Sequence, residues 1–303
     1  MNKNVSLYLS IALIAMTVIS SIASVISQRN YISNTRVFQT SEKIKGASRF
    51  ENKYKISKGN KARSENKIYS QNEIVQPFFS VVNPNHNYPI GLFLYEDEEI
   101  EDFCTASVIN TANGNIGLTA IHCLLDEDGD PHDLNFLSFS PGYDAGTNGP
   151  LGSISVVATA MPENPQNNDY ALVRFEFDDP SGGDATLQDY TGALGWRFDI
   201  GDDEPTTVYG YPEDGDMGYC VRDGEHLCKW YGITEISGIT HVISDMDLGE
   251  GASGGPFISQ YETETNLGFA YAIYSGYNTK SNASFGDIWD EDIFLDLLLE
   301  ITP

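Results

Sequence analysis

A serine set among glycines, GEGASGGPF at residues 249 to 257, is where this sequence most plainly clears side chains away from a nucleophile. Gly251, Gly254 and Gly255 open backbone conformations closed to other residues, and they let N–H groups approach whatever sits over the Ser253 hydroxyl. Taken alone the stretch also fits a glycine-rich surface turn, so the serine must be judged by its partners. A hydroxyl of ordinary acidity needs a general base. All five histidines, at 86, 122, 132, 226 and 241, precede it. Among them His122 stands out, because it lies in LTAIHCLLD, directly after a strand-like run and beside a cysteine that can fix the turn. His86, His132 and His226 sit in turn-rich contexts and read, with His241, as surface or core residues.

The order of residues excludes one chemistry. Where a G-x-S-x-G serine opens an α/β-hydrolase site, its histidine comes last, and here no histidine follows Ser253. A His, Asp, Ser order remains. The third member should be a carboxylate at the start of a buried strand, where it can hold the imidazole tautomer and stabilise the imidazolium. Asp169 in QNNDYALVRF meets that description, whereas most of the 40 acids after residue 75 read as solvated surface charge.

The elements that must carry these residues are short strands. FCTASVIN and IGLTA flank a turn at residues 112 to 115, followed by ISVVATAM, YALVRFEF, TTVYGYP, KWYGITEISGITHVIS and GFAYAIYSG. With no long helical period between them, the pattern predicts an all-β barrel or sandwich. Only WDEDIFLDLLLEI near the end has helical spacing, with acids in its first turn as the dipole favours.

Composition divides the chain of 303 residues. Residues 1 to 75 hold 12 of the 17 Lys and Arg and 4 of the 44 acids, a net +8, which leaves −35 on residues 76 to 303. Such a surface excludes nucleic acid as a partner of the main domain, since phosphate binding needs basic side chains. MNKN followed by VSLYLSIALIAMTVISSIASVI has the order of a secretory signal, residues 1 to 27. An uncleaved anchor is the alternative, because the apolar run approaches the roughly 20 residues that span a bilayer. Residues 28 to 73, rich in Asn, Ser and Lys, read as a basic prosegment, and 74 to 303 as the main domain, divided near 180–195. Once processed, the chain is expected to be secreted, off the membrane and monomeric. In an exported protein four cysteines favour disulfides. We expect Cys104 with Cys123 and Cys220 with Cys228, the second closing CVRDGEHLC around an Asp223-Gly224 hairpin turn. A zinc site from Cys104, His122, Cys123 and His132 is the rival, without the usual metal-ligand spacings. In DEDGDPHD, Asp126, Asp128 and Asp130 alternate like an EF-hand, but Pro131 and Leu137 stand where its glycine and its last ligand belong. A looser calcium site on that loop is left open beside a plain solvated turn; no other metal or cofactor is expected.

TAIHC, NNDYALV and GASGGP in that order resemble the chymotrypsin-fold serine endopeptidases, over roughly residues 76 to 300. The resemblance implies two six-stranded antiparallel β-barrels with a C-terminal helix. It also implies His122 as base, Asp169 as its partner, Ser253 as nucleophile, and the N–H groups of Gly251 and Ser253 as oxyanion hole. Protein or peptide substrates and the chain's own prosegment would be its partners, the prosegment making it a zymogen. A chymotrypsin-fold binding protein without activity is the alternative. VYGYP at 208 to 212 and AIYSG are similar to the bacterial glutamyl endopeptidase-like branch. In that branch a histidine after the serine and a threonine five residues before it bind the substrate carboxylate, and here Tyr274 and Leu248 stand there. Ala252 replaces the aspartate that in animal trypsins receives the new N-terminus. Asp247, six residues before Ser253, matches the position where trypsin-like enzymes bind Lys or Arg. A pocket lined by Leu248, Tyr274 and Tyr277 would instead take aromatic or apolar side chains.

Overall fold

The computed structural model describes residues 48–49, 87–97 and 101–302. The signal segment, residues 1 to 27, lies outside them, as does the prosegment apart from Ser48–Arg49. That pair forms a two-residue strand, β1, parallel to Asp102–Phe103.

Strands of alternating and apolar residues build the first sheet: β2 (Ile90–Glu96), β3 (Glu101–Val108), β4 (Ile116–Thr119), β5 (Leu137–Pro141), β6 (Ile154–Ala160) and β7 (Ala171–Phe175). Their order is β3-β2-β5-β6-β7-β4, and β4 pairs back onto β3 through Ser107 opposite Leu118. Closure leaves a barrel of six antiparallel strands with no free edge within the ring. Phe93, Leu118, Phe139, Leu172 and Phe175 fill it, with Phe139 stacked on Phe175 at 4.5 Å between centroids. Five residues, Leu187–Thr191, then form α1, a single turn of helix capped reciprocally by Thr186 and Asp189. Sequence periodicity could not announce so short a helix.

The second sheet follows with β8 (Gly195–Trp196), β9 (Glu204–Gly210), β10 (Cys228–Ser237), β11 (Thr240–Ser244), β12 (Pro256–Glu262), β13 (Leu267–Ile273), β14 (Gly276–Asn278) and β15 (Ala283–Asp287). It has eight strands in the order β14-β15-β11-β10-β9-β12-β13-β8. Six of them, β9 to β13 and β15, are the expected antiparallel run, and short β8 and β14 extend its two ends. The N–H of Ser275, just after β13, donates to the carbonyl of Phe285 in β15 at 2.9 Å, bringing the two ends of that run together. Val208, Ile243, Phe257 and Tyr271 lie in its core.

The chain closes with α2 (Glu291–Ile301), whose N-cap Asp290 accepts the N–H of Ile293. Phe294, Leu297 and Ile301 make its buried face. Phe294 packs on Trp196 and Trp289 at 5.0 Å each. Arg174 in β7 donates to the Ile301 carbonyl at 3.1 Å, so the last turn of α2 is tied to the first barrel. Among the described residues no helix is long and apolar enough to cross a membrane.

Both cysteine pairs are disulfides, Cys104 with Cys123 and Cys220 with Cys228. The first bond removes the thiolates that the zinc reading required. The second encloses no hairpin. Gly224 does turn the chain, at φ +76°, and Asp223 caps the bend by accepting the Glu225 N–H. Pairing between the loop's own flanks is limited to the single bridge of Gly218 with Lys229, because the chain before Cys220 bends while β10 pairs with β9 instead, Cys228 opposite Gly210.

Candidate active site

His122 sits in a 3-10 turn, Ile121–Cys123, that begins as β4 ends. The Cys104–Cys123 bond fastens this turn to β3. Asp169 stands two residues before β7, the barrel neighbour of β4, so strand pairing brings the two side chains to one end of the same barrel. Their contact is double. Oδ2 of Asp169 lies 2.7 Å from Nδ1 of His122, and Oδ1 accepts the His122 backbone N–H at 3.1 Å. With both residues 5% exposed, the carboxylate fixes the ring's orientation and favours the tautomer with its proton on Nδ1. Nε2 is then the basic nitrogen. Among the described residues it is buried without a hydrogen-bond partner, so Ser253 makes no bond to it in this geometry. Such bonds are commonly long without substrate.

The serine comes from the second sheet, on the loop between β11 and β12. Its carbonyl accepts the N–H of Thr105 in β3 at 2.7 Å, and Ser253 is itself 5% exposed. Gly254 has φ +80°, and a Cβ there would stand 2.3 Å from the Thr105 carbonyl and 2.5 Å from Thr119 Oγ1. Only glycine lets the loop press so closely on the strand end that leads to His122. Gly251, at φ +85°, is set by Thr105 as well, whose Oγ1 donates to its carbonyl at 3.1 Å and accepts the Tyr211 N–H. Thr105 thus joins the serine loop, β9's exit and the first barrel. Nothing in a threonine within a strand-like run marks that role. Nor does sequence mark Asp287, at the end of β15, whose Oδ2 accepts the Asp169 N–H at 2.7 Å.

Among the described residues the other histidines, His132, His226 and His241, make their contacts elsewhere. His132 stacks on Tyr95 at 3.8 Å, with burial pushing its pKa down. His226 contacts Asp223 at 2.8 Å. His241 is buried edge-on to Tyr271, and His86 lies outside the described residues. The acidic loop folds on itself, Asp126 Oδ1 accepting the N–H groups of Asp128 and Asp130.

Comparison with solved structures decides the architecture. A thermostable serine protease, AL20, from an extremophilic microorganism matches at TM-score 0.57 and 23% identity, over 71% of this chain and 97% of that one. The protease Anisep from Arthrobacter nicotinovorans matches at 0.57 and 21%, over 74% and 98%. A Glu endopeptidase in complex with MPD matches at 0.52 and 15%, over 70% and 90%. The chain has the chymotrypsin fold. No protein-family model matches the sequence, and no curated protein does.

Within this chymotrypsin fold the residues expected at a specificity pocket divide. Leu248 and Tyr274 are buried in the second sheet's core, with Met217, Ile243 and Phe257. Tyr274 nevertheless ends among acids: burial first, then Asp247, Asp214 and Glu250, push its phenol pKa up. Asp247 is half-buried, and its Oδ1 accepts the N–H of Gly249 at 2.9 Å. Burial raises its carboxyl pKa, and nearby Asp214 and Asp216 add to that. Tyr277 is only partly covered, and its hydroxyl donates to Asn282.

Proposed function

We propose that this chain is a secreted serine endopeptidase that works through an acyl-enzyme. The observation that carries the reading is the buried 2.7 Å pair of His122 and Asp169, with a glycine-framed serine loop bonded to the neighbouring strand. Ser253 Oγ attacks the scissile carbonyl carbon while its proton passes to His122 Nε2. Asp169 holds Nδ1–H and balances the imidazolium. The oxyanion takes the N–H groups of Gly251 and Ser253, and one such donor is worth about 2.7 to 4 kcal/mol in the transition state. Collapse breaks the C–N bond, and the amine leaves with the proton from Nε2. Water, deprotonated by the same nitrogen, then attacks the ester and frees the acid and Ser253.

Nothing in these steps requires a metal. The turn at Asp126, Asp128 and Asp130 is read as a solvated acidic loop. For substrate choice we favour Lys or Arg, because Asp247 lies near Asp214 and Asp216 and a basic side chain would relieve that crowding. The same acids disfavour a substrate glutamate. Residues 28 to 73, net +7, are read as a prosegment, and the pairing of Ser48–Arg49 with Asp102–Phe103, next to Cys104, supports its docking near the site.

A fluorophosphonate probe tests the reading against an inactive binding protein of the same fold. Labelling of the wild-type chain and none of Ser253→Ala is the expected outcome; an unlabelled but folded wild type would sink it.

A further inference from the structure

A second carboxylate stands behind the His122–Asp169 pair. Asp287 closes β15, on the opposite sheet from Asp169, and is 7% exposed. Its Oδ2 takes the Asp169 N–H at 2.7 Å, a bond between residues 118 apart in sequence. Asp169 is therefore held at two points. Its main chain is fixed by Asp287, and its side chain spends both oxygens on His122.

We propose that Asp287 is a positioning residue for the triad, setting from across the barrel seam the place from which Asp169 grips His122. This rests on the triad reading above. The placement is costly in the way functional groups often are. Burial, and the charge of Asp169, push the Asp287 carboxyl up to about 6, the Asp169 N–H being the one contact that pulls it down. A residue kept only to fill that space would serve better as an apolar or amide side chain. Tyr170, which follows Asp169, is fully buried against Trp289 and Phe294, so Asp169 is anchored by packing on its C-terminal side and by Asp287 at its own N–H. An error in that peptide would swing the carboxylate off the imidazole, and a misplacement of about 1 Å can cost roughly a hundredfold in rate.

The test compares Asp287→Ala and Asp287→Asn with wild type in the exported protein, following the rate of Ser253 labelling by a fluorophosphonate across probe concentrations. For Asp287→Ala the maximal rate should fall about ten- to a hundredfold, with the half-saturating concentration within about twofold. Asp287→Asn, which keeps an acceptor oxygen, should recover to within about threefold of wild type. A folded Asp287→Ala that labels at the wild-type rate, a loss confined to half-saturation, or an Asn variant no better than Ala would each overturn the inference. If Asp287→Ala does not fold, Asp287→Glu, which keeps the charge but displaces the acceptor, should slow labelling in its place; an unchanged rate would likewise overturn it. A wild type that does not label defeats the triad reading itself, whereas a labelled wild type with indifferent variants defeats only the role of Asp287.

Discussion

In the proposed mechanism Ser253 and His122 handle the same proton, so removing both should cost no more than removing either. Ser253→Ala and His122→Ala are each expected to lower kcat by about a millionfold, with circular dichroism unchanged and the double variant no slower. Steady-state assays of the three would show it; additive losses would mean that the two side chains work separately. Asp247 makes a different demand. If it receives a basic side chain, Asp247→Ser should depress kcat/KM after Arg by about a hundredfold or more while sparing cleavage after Leu or Phe. Equal losses on both would make it a support for Gly249, whose N–H it already accepts. The candidate triad could be read from the sequence because its chemistry dictates residue types and local settings: a glycine-flanked serine, a histidine at a strand end, an acid opening an apolar strand. Thr105 and Asp287 had no such mark. Their bonds to Gly251 and Asp169 span 146 and 118 residues, and no local pattern reports a contact of that range.

At the scale of elements, the turn carrying His122 is short and fastened at one side by Cys104–Cys123. Closing that loop restricts the unfolded chain by about 3 kcal/mol. Replacing both cysteines by alanine should therefore lower the thermal midpoint by several degrees and reduce kcat more than KM, as the histidine turn loosens. A variant with the wild-type midpoint would show that β3 and β4 alone hold the turn. The strands were legible from alternation and β-branched runs, and α2 from its apolar spacing and acidic first turn. Less legible was the loop from Cys220 to Cys228, where Asp-Gly gives the turn but cannot tell whether extended chain flanks it. The added strands β8 and β14 have two and three residues, too few to show a period.

For the whole molecule, charge and burial set the conditions of work. A prosegment of net +7, with 11 Lys and Arg against 4 acids over residues 28 to 73, should bind the −35 domain at low ionic strength and let go as salt rises, the Debye length being about 10 Å at 0.1 M. A synthetic peptide of residues 28 to 73, titrated onto the processed domain in low and high salt, checks this; no binding at low salt would discard it. Two buried groups shape stability in opposite directions. His241, held down to about 4 by burial, resists protonation when folded. Between its unfolded value near 6.5 and about 4, falling pH therefore costs stability, up to about 3 kcal/mol. Asp287, raised to about 6, ionises first in the unfolded chain. Rising pH from 3.8 to about 6 costs a similar amount. Asp287→Asn should accordingly be more stable than wild type at pH 8 and not at pH 3.5, as denaturant midpoints at the two pH values would record. The seam between the sheets carries one more consequence. In the proposed triad His122 and Asp169 ride on the first sheet and Ser253 and Asp287 on the second, so that reacting atoms so placed would behave like the two scales of a vernier. A slip far too small to let water into either core would already put the scales out of register, and under mild stress the catalyst would fall silent while the protein still looked whole.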